Sequence, residues 1–177
     1  HAADTQFDPG ANGSVRTLAL SQESGTLYLY VGGDFTTTSL NARNRIAKLN
    51  SSNGYVIGAW NAGADAPVYA LAVDGGYVYA GGVFTNIGGV ANANLARVSL
   101  ATPATVDAPW APAPNGPATA LLVDGADVYA GGCFQCAGSV GVTNLARLNY
   151  TTGGADATWT PGPRHARSAS ACVRALG

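Results

Sequence analysis

The sequence predicts a single all-β domain, residues 1–177, built from three tandem copies of a small four-stranded antiparallel sheet. Landmark residues recur every 49 or 50 positions, which is typical of a repeat architecture. Short apolar runs separated by glycine-containing turns favour strands over helices. The composition, with 24 glycines and 11% charged residues, also suits many short strands and turns. We place repeats 1, 2 and 3 at about residues 14–63, 64–113 and 114–163, with an extra terminal strand within 164–177.

Three kinds of landmark define the period. A Gly-Gly-x-Phe element ends in Phe35, Phe84 and Phe134, a third strand follows Asn44, Asn94 and Asn144, and the only tryptophans are Trp60, Trp110 and Trp159. Large aromatic residues at the repeat period are best used between neighbouring copies, so we expect these tryptophans and phenylalanines to pack there.

The middle copy gives the clearest strand pattern. Val68 to Val73 form a first strand, Asp74-Gly75 opens a tight turn, and Tyr77 to Ala80 form a second strand. A loop then leads to a third strand at Leu95 to Leu100, and Val106 to Trp110 form a short fourth strand at the edge. Four strands in one period predict a blade of β-propeller type.

The other copies follow the same plan. Repeat 3 has strands at Ala118 to Val123, Val128 to Ala130 and Leu145 to Tyr150, with a turn at Asp124-Gly125. Repeat 1 has a longer first turn, from Ser21 to Thr26. The paired glycines are interpreted as places where backbones approach closely, because no helix follows them to bind a phosphate.

The fuller string resembles a known family. The pattern Val-Tyr-Ala-Gly-Gly-x-Phe, then Asn-Leu-Ala-Arg-Leu-Asn, then Trp-x-Pro covers nearly all of residues 7 to 161. It is similar to kelch-type propellers and, more specifically, to secreted bacterial propeller repeats of the delta-sixty type. The resemblance implies an extracellular or cell-surface module and supplies no catalytic residues. A closed propeller uses about four to eight blades, and three are present here.

Both ends overhang the repeats. Phe7 stands in the place of a tryptophan, so we expect the chain to open on the last strand of a blade. Val173, Arg174, Ala175 and Leu176 echo Val15 to Leu18, the first strand of a copy, and are our candidate assembly strand. Open strand edges recruit further strands, and a single lysine gives little charge to block them. We expect a structural subunit that self-associates into a filament or ring.

A second hypothesis is a glycan- or protein-binding fragment of a larger cell-surface propeller. Mass measurement of the native protein would separate the two. The balance of 9 basic against 10 acidic residues gives no reason to expect nucleic acid, and no apolar run is long enough to insert in a membrane.

Little in the sequence suggests an enzyme. The only histidines are His1 and His165, with no nucleophile motif beside them, and the acidic residues are scattered. Asp124 and Asp127 lie in one turn without the ladder of ligands that calcium needs. We predict no catalytic residue, no metal and no cofactor.

The three cysteines predict one disulfide. It joins Cys133 to Cys136, or one of these to Cys172, and leaves one thiol over. Because the chain has no methionine, His1 is not a translation start. We therefore expect that an export signal has been removed and that the protein is secreted.

Glycosylation is a weaker prediction. Asn12, Asn50 and Asn149 begin Asn-x-Ser/Thr sequences, and Thr36 to Ser39 could carry O-glycans. Asn50 and Asn149 occupy one turn of the repeat, where asparagine is also favoured by the turn itself.

The basic residues of the third strand are a further candidate. Alignment on the asparagines groups Arg97 with Arg147 and places Lys48 opposite Val98 and Leu148. We expect Arg45, Arg97 and Arg147 to face solvent or to bond a loop of a neighbouring copy, with repeated ligand contacts as the alternative.

Overall fold

The computed structural model describes residues 7–159 and 172–176, and in these ranges the fold is all-β with thirteen strands and no helix. The strands are β1 (Val15–Glu23), β2 (Thr26–Gly33), β3 (Thr37–Thr38), β4 (Asn41–Ala42), β5 (Ile46–Asn50), β6 (Val68–Asp74), β7 (Tyr77–Gly82), β8 (Asn86–Ile87), β9 (Val90–Ala91), β10 (Leu95–Ser99), β11 (Ala118–Asp124), β12 (Asp127–Gly132) and β13 (Leu145–Asn149).

Each repeat forms one three-stranded antiparallel sheet. The sheets are β1-β2-β5, β6-β7-β10 and β11-β12-β13, each with its second strand in the middle. The predicted tandem arrangement of small antiparallel sheets is therefore confirmed. β1 contacts β6, and β6 contacts β11, so the three sheets follow one another in chain order.

The predicted fourth strands are wrong in extent. Repeat 2 has only a single bridge there, between Val98 and Val106, and repeats 1 and 3 have equivalent bridges, Leu49 to Val56 and Leu148 to Ala155. Asp107 follows the bridge and turns back to donate its N–H to the carbonyl of Arg97. Pro109 then has no N–H to extend a ladder. The overhanging strands are wrong as well, since residues 7–12 and 172–176 belong to no sheet.

The first turn of repeat 1 is shorter than predicted. Ser21 pairs with Tyr28, and Glu23 pairs with Thr26, so the hairpin continues to a two-residue turn at Ser24-Gly25. Both turn residues have positive φ, 46° and 85°. This is the backbone of the tight turns that suit two antiparallel strands.

Short hairpins replace part of the predicted loop in repeats 1 and 2. β8 pairs with β9 through Gly88-Gly89, which have φ of 58° and 80°. Two glycines between Ile87 and Val90 are a recognisable hairpin signal. In repeat 1, β3 pairs with β4 through Ser39-Leu40. These residues also have positive φ, but because neither is glycine the sequence does not indicate the turn.

The strand register corrects the alignment of the basic residues. Lys48 pairs with Tyr30, Arg97 with Tyr79 and Arg147 with Tyr129, so Lys48 is equivalent to the two arginines and not to Val98 and Leu148. The repeated left-handed residue is Arg45, Asn94 or Asn144, with φ of 64°, 65° and 64°. Alignment on Asn44 was wrong by one residue for this reason.

The core lies between neighbouring sheets. We call the layer between repeats 1 and 2 the first seam and the layer between repeats 2 and 3 the second seam. In the first seam Trp60 and Ile46 of repeat 1 meet Val78 and Phe84 of repeat 2. In the second seam Trp110 meets Phe134 and other residues of repeat 3. The two seams therefore repeat one packing arrangement.

The first glycine of each Gly-Gly pair makes room for the next copy. A Cβ on Gly32 would lie 2.8 Å from Val68 Cγ1, and a Cβ on Gly81 would lie 3.1 Å from Ala118 Cβ. Val68 and Ala118 are the first-strand residues of the following repeats. The glycines thus allow close backbone approach at the seams.

Candidate interaction surfaces at the seams and ends

The first seam is joined by a tryptophan that hydrogen-bonds across it. Trp60 is fully buried and packs edge-on against Tyr30, with ring centroids 5.1 Å apart. Its indole N–H donates to the Ser99 carbonyl of repeat 2 at 2.9 Å. The aromatic pair thus belongs to repeat 1, whereas the hydrogen-bond acceptor of its indole N–H belongs to repeat 2.

The second seam repeats this contact. Trp110 is fully buried, lies 5.2 Å from Tyr79 in the same edge-on geometry, and donates to the Asn149 carbonyl of repeat 3 at 3.4 Å. Sequence reasoning did not assign a role to these tyrosines. Their constant position two residues before the Gly-Gly pair was the available signal.

The third-strand cations also cross the seams. Lys48 Nζ donates to the Leu100 carbonyl at 3.0 Å, and a guanidinium N–H of Arg97 donates to the Tyr150 carbonyl at 2.6 Å. Both cations stack on tyrosine rings, Lys48 at 4.3 Å from the Tyr28 centroid. These side chains are buried, with 3% and 8% exposure, so for Arg97 the expected bond to a neighbouring copy is confirmed and a solvent-facing position is wrong.

Each buried cation has a carboxylate partner. Lys48 Nζ lies 2.6 Å from Glu23, and Arg97 pairs with Asp107. Tyr30 donates its hydroxyl to Glu23 at 2.9 Å. Burial, together with this hydrogen bond to Glu23, raises the pKa of Tyr30 far above its ordinary value. Removal of one partner from either pair would leave a buried charge without its counter-ion, which is costly.

The outward face of repeat 3 is the unpartnered counterpart of these seams. We define it by Leu122, Tyr129, Arg147 and Trp159. Trp159 packs on Tyr129 at 5.5 Å but is only half-buried. Arg147 pairs with Asp156, and its buried Nε has no acceptor among the described residues. The Arg147 guanidinium and the Thr158 hydroxyl hold the pKa of Asp156 well below its ordinary value.

The outward face of repeat 1 is the other end of the stack. We define it by Leu18 and Leu20, which are each 59% exposed. The residues at these positions in repeat 2 are Leu71 and Val73, and both pack into the first seam. An apolar row that is covered in the other repeats is therefore open in repeat 1.

Two of the three phenylalanines pack into the seam between their own repeat and the preceding one. Phe84 belongs to the first seam and Phe134 to the second, with 0% and 2% exposure. Phe35 is also buried, in a smaller cluster with Val31 and Leu49 on the outward side of repeat 1.

Each end of the described chain covers part of an outward face. A Cβ on Gly54 would lie 3.5 Å from Phe7 Cδ2 and 3.3 Å from Pro9 Cδ, as a Cβ on Gly153 would lie 3.3 Å from Trp110 Cδ1. Phe7 thus takes a tryptophan's place. At the other end, a Cβ on Gly131 would lie 2.5 Å from Val173 Cγ1, so Val173 occupies the position held by Val68 and Ala118.

The cysteines resolve one of the sequence alternatives. Cys133 forms a disulfide with Cys172, and Cys136 is a half-buried free thiol. The bond joins repeat 3 to the terminal segment, residues 172–176. The candidate assembly strand, Val173, Arg174, Ala175 and Leu176, forms the rest of this segment. It is not a β-strand, and Val173 contacts repeat 3 of the same chain.

The asparagines of the candidate glycosylation sites have structural contacts. Asn12 accepts the N–H groups of Thr36 and Thr37 at 2.8 and 2.9 Å. Its amide also donates to the Thr36 hydroxyl at 2.8 Å. Asn50 and Asn149 accept backbone N–H groups two residues later within their turns.

A groove of about 420 Å³ runs across the first strands. Arg16, Tyr69, Thr119 and Arg174 line it, with the disulfide at one side. Arg16 pairs with Asp34 at 2.6 Å and stacks 5.3 Å from the Tyr69 centroid. The groove therefore combines guanidinium groups with an aromatic ring.

No protein-family model matches the chain, and neither a curated protein nor a solved structure shows significant similarity to it. Among residues 7–159 and 172–176, no three His, Cys, Asp or Glu side chains cluster as metal ligands. No helix in the same ranges is long and apolar enough to span a membrane. His1 and His165 lie outside the described residues.

Proposed function

We propose that this chain is a non-enzymatic, extracellular structural subunit that self-associates through the outward faces of repeats 1 and 3. The observation that carries the proposal is the 59% exposure of Leu18 and Leu20. Their equivalents in repeats 2 and 3 pack against the preceding copy. The sequence of repeat 1 therefore encodes a seam whose other half lies outside the described chain.

Burial of these side chains supplies a driving force. Covering one leucine contributes about 1.5–3 kcal/mol, and the two leucines form one row on β1. Soluble proteins rarely leave large apolar patches uncovered, and such patches often mark interfaces. A second copy is a natural partner because repeat 3 carries the matching half of the seam.

Head-to-tail geometry follows from the direction of the seams. Trp60 and Trp110 each donate forward along the chain, to Ser99 and Asn149 of the next repeat. Trp159, at the equivalent position of repeat 3, lies on its outward face, where a following copy would supply the acceptor. A contact of unlike faces closes a ring if its rotation permits and builds a filament if it does not.

We interpret the three sheets as blades of β-propeller type. Equal seams at a fixed period support this arrangement, as does the resemblance of the repeat to kelch-type and delta-sixty propellers. Three blades fall short of the four to eight in closed rings, so further blades would come from other copies. The disulfide supports an extracellular site, since such bonds persist in oxidising compartments.

Sedimentation velocity over a wide concentration range tests the proposal. Wild type should form species larger than one chain, and Leu18→Asp should dissociate them by placing charge in the seam. Ala91→Asp is the matched control, because Ala91 is exposed and lies in repeat 2, which carries neither outward face. A wild type that stays monomeric throughout, both with the Cys133–Cys172 bond intact and after its reduction, or an equal effect of both variants, would reject it.

A glycan-binding role is the second candidate, favoured by the groove along the first strands. Tyr69 offers a ring on which a sugar can stack, and Arg16 and Arg174 offer hydrogen-bond donors. Calorimetric titration with soluble polysaccharides tests it. Binding that is lost in Tyr69→Ala and kept in Tyr55→Ala, an exposed tyrosine outside the groove, would favour this role.

A further inference from the structure

We infer that the terminal segment, residues 172–176, is a built-in substitute for the first strand of a second copy, and that the Cys133–Cys172 disulfide locks it on the outward face of repeat 3. The inference rests on the proposed self-association and adds its regulation. It assigns the docking site on repeat 3 to β1 of another copy, with the terminal segment as a competitor.

The position of the segment supports this role. Gly32, Gly81 and Gly131 are equivalent, and each contacts one residue of the segment that packs next to its sheet. For the first two, that residue is Val68 or Ala118 of the next repeat. For Gly131 it is Val173, whose N–H donates to the Gly132 carbonyl at 3.2 Å. The segment thus occupies the place of a fourth repeat.

The sequence of the segment matches its proposed rival. Val173-Arg174-Ala175-Leu176 and Val15-Arg16-Thr17-Leu18 share valine, arginine and leucine at the same spacing. The Thr119 hydroxyl donates to the Val173 carbonyl, a backbone group that any residue supplies. Val15 of a second copy can therefore use the same contacts over Gly131.

The segment is an incomplete substitute. It belongs to no sheet, it leaves Trp159 half-buried and Arg147 31% exposed against 8% for Arg97, and its five residues include no counterpart of the Asn149 and Tyr150 carbonyls. Repeat 1 of a second copy offers the missing groups. Its Asn50 and Ser51 carbonyls are equivalent to the Asn149 and Tyr150 carbonyls that receive Trp110 and Arg97.

Phe7 is the corresponding substitute on repeat 1. It lies over Gly54 where a tryptophan of a preceding repeat would lie. A phenyl ring has no N–H, so Phe7 cannot donate to the Asn50 carbonyl, whereas Trp159 of a second copy can. Docking exchanges a weaker contact for a stronger one at this end, and no covalent bond opposes it.

The disulfide opposes exchange at the other end. A tethered segment competes at a high effective concentration, so the bonded form should suppress docking. A dithiol reductant removes the tether: two electrons and two protons convert the disulfide to the thiols of Cys133 and Cys172, and the dithiol becomes a disulfide. The segment can then leave Gly131 to a second copy.

Sedimentation velocity of full-length wild type, with and without dithiothreitol, tests the inference alongside Cys172→Ser. Reduction or the substitution should tighten self-association at least about tenfold. Cys136→Ser is the matched control, because Cys136 is not in the bond, and it should behave like oxidised wild type. Leu18→Asp added to Cys172→Ser should return the protein to single chains.

A further variant guards against a folding defect in Cys172→Ser. Val173→Asp keeps both bonded cysteines and weakens the hold of the segment over Gly131, so it should act in the same direction. Equal association of oxidised, reduced and Val173→Asp protein would overturn the lock. If Leu18→Asp still dissociated the protein, the proposed function would stand. Absence of association in every form would reject both.

Discussion

Trp110 and Trp159 hold the same position in successive repeats, and their surroundings differ on one side only. Each packs edge-on against the tyrosine of its own sheet, at 5.2 and 5.5 Å. Trp110 also donates across the second seam to Asn149, and it is fully buried. Trp159 has no following repeat among the described residues and is half-buried. A repeat therefore builds its half of the seam by itself, and its neighbour completes it.

The largest expected difference lies in the tryptophans themselves. Trp110→Ala should lower the free energy of unfolding by about 3–5 kcal/mol, because it empties a fully buried site. Trp159→Ala should cost about 1 kcal/mol, since part of its surface already meets water. Urea melts of dilute protein measure both. Equal losses would mean that the two faces do not differ in burial.

The paired arginines should differ in the same direction. Arg97→Gln leaves Asp107 without its cation in a buried seam, and we expect a loss of about 3 kcal/mol. Arg147→Gln should cost much less, because Arg147 is 31% exposed and solvent screens its partner. The same urea melts apply. A greater loss for Arg147 would show that its face is covered in solution.

The seam glycines sharpen the comparison at the backbone. Gly32→Ala brings its Cβ against Thr17 and Val68, both within sheets, and should cost about 1–3 kcal/mol. Gly131→Ala brings its Cβ against Val173 and Ala120, and its cost should be lower once reduction of the Cys133–Cys172 bond lets Val173, which is in no sheet, shift. Gly58→Ala, which meets no atom within 4 Å, is the control. The order of thermal midpoints tests this prediction.

The smallest effect concerns Asp65, which accepts the N–H groups of Thr85 and Asn86 where Asn12 and Asn115 do so in the other repeats. Asp65→Asn should change stability by no more than about 0.5 kcal/mol at neutral pH. The Thr85 hydroxyl lowers the pKa of Asp65 below its ordinary value, that of the unfolded chain. Its contribution is therefore present above that value and is lost as pH falls through the folded pKa.

Acid titration of the thermal midpoint checks this assignment. Wild type should lose stability at low pH by more than Asp65→Asn does, because asparagine does not titrate. Identical acid sensitivity in the two proteins would show that the carboxylate does not contribute in this way.

Sequence periodicity predicted the sheets well because strand alternation and turn glycines are local signals. β6 and β7 begin at the predicted residues, Val68 and Tyr77. The register of the cations was missed because Arg45 replaces asparagine at the left-handed position, while Asn44 beside it imitates the motif. A one-residue error in the alignment assigned Lys48 to the wrong face of the third strand.

Long-range contacts explain the remaining differences. The fourth strands are single bridges in all three repeats, and the residue after each bridge returns its N–H to the third strand, as Asp107 does to the Arg97 carbonyl. The sequence matched Phe7 and Val173 to positions of the repeat, but it did not predict that they cover the outward faces of their own chain. Their contacts with Gly54 and Gly131 required the placement of both ends. The bond from Cys133 to Cys172 likewise depends on the docking of the terminal segment.

The acceptors of the seam bonds are main-chain carbonyls, and their side chains therefore differ freely: Ser99 and Leu100 in repeat 2 become Asn149 and Tyr150 in repeat 3. A tandem duplication needs no compensating substitution at these positions, because every residue brings the same acceptor. Genetic recombination could thus lengthen, shorten or reorder such an array while each junction kept its bonds. Chimeras that repeat the middle copy would extend the array by one junction at a time.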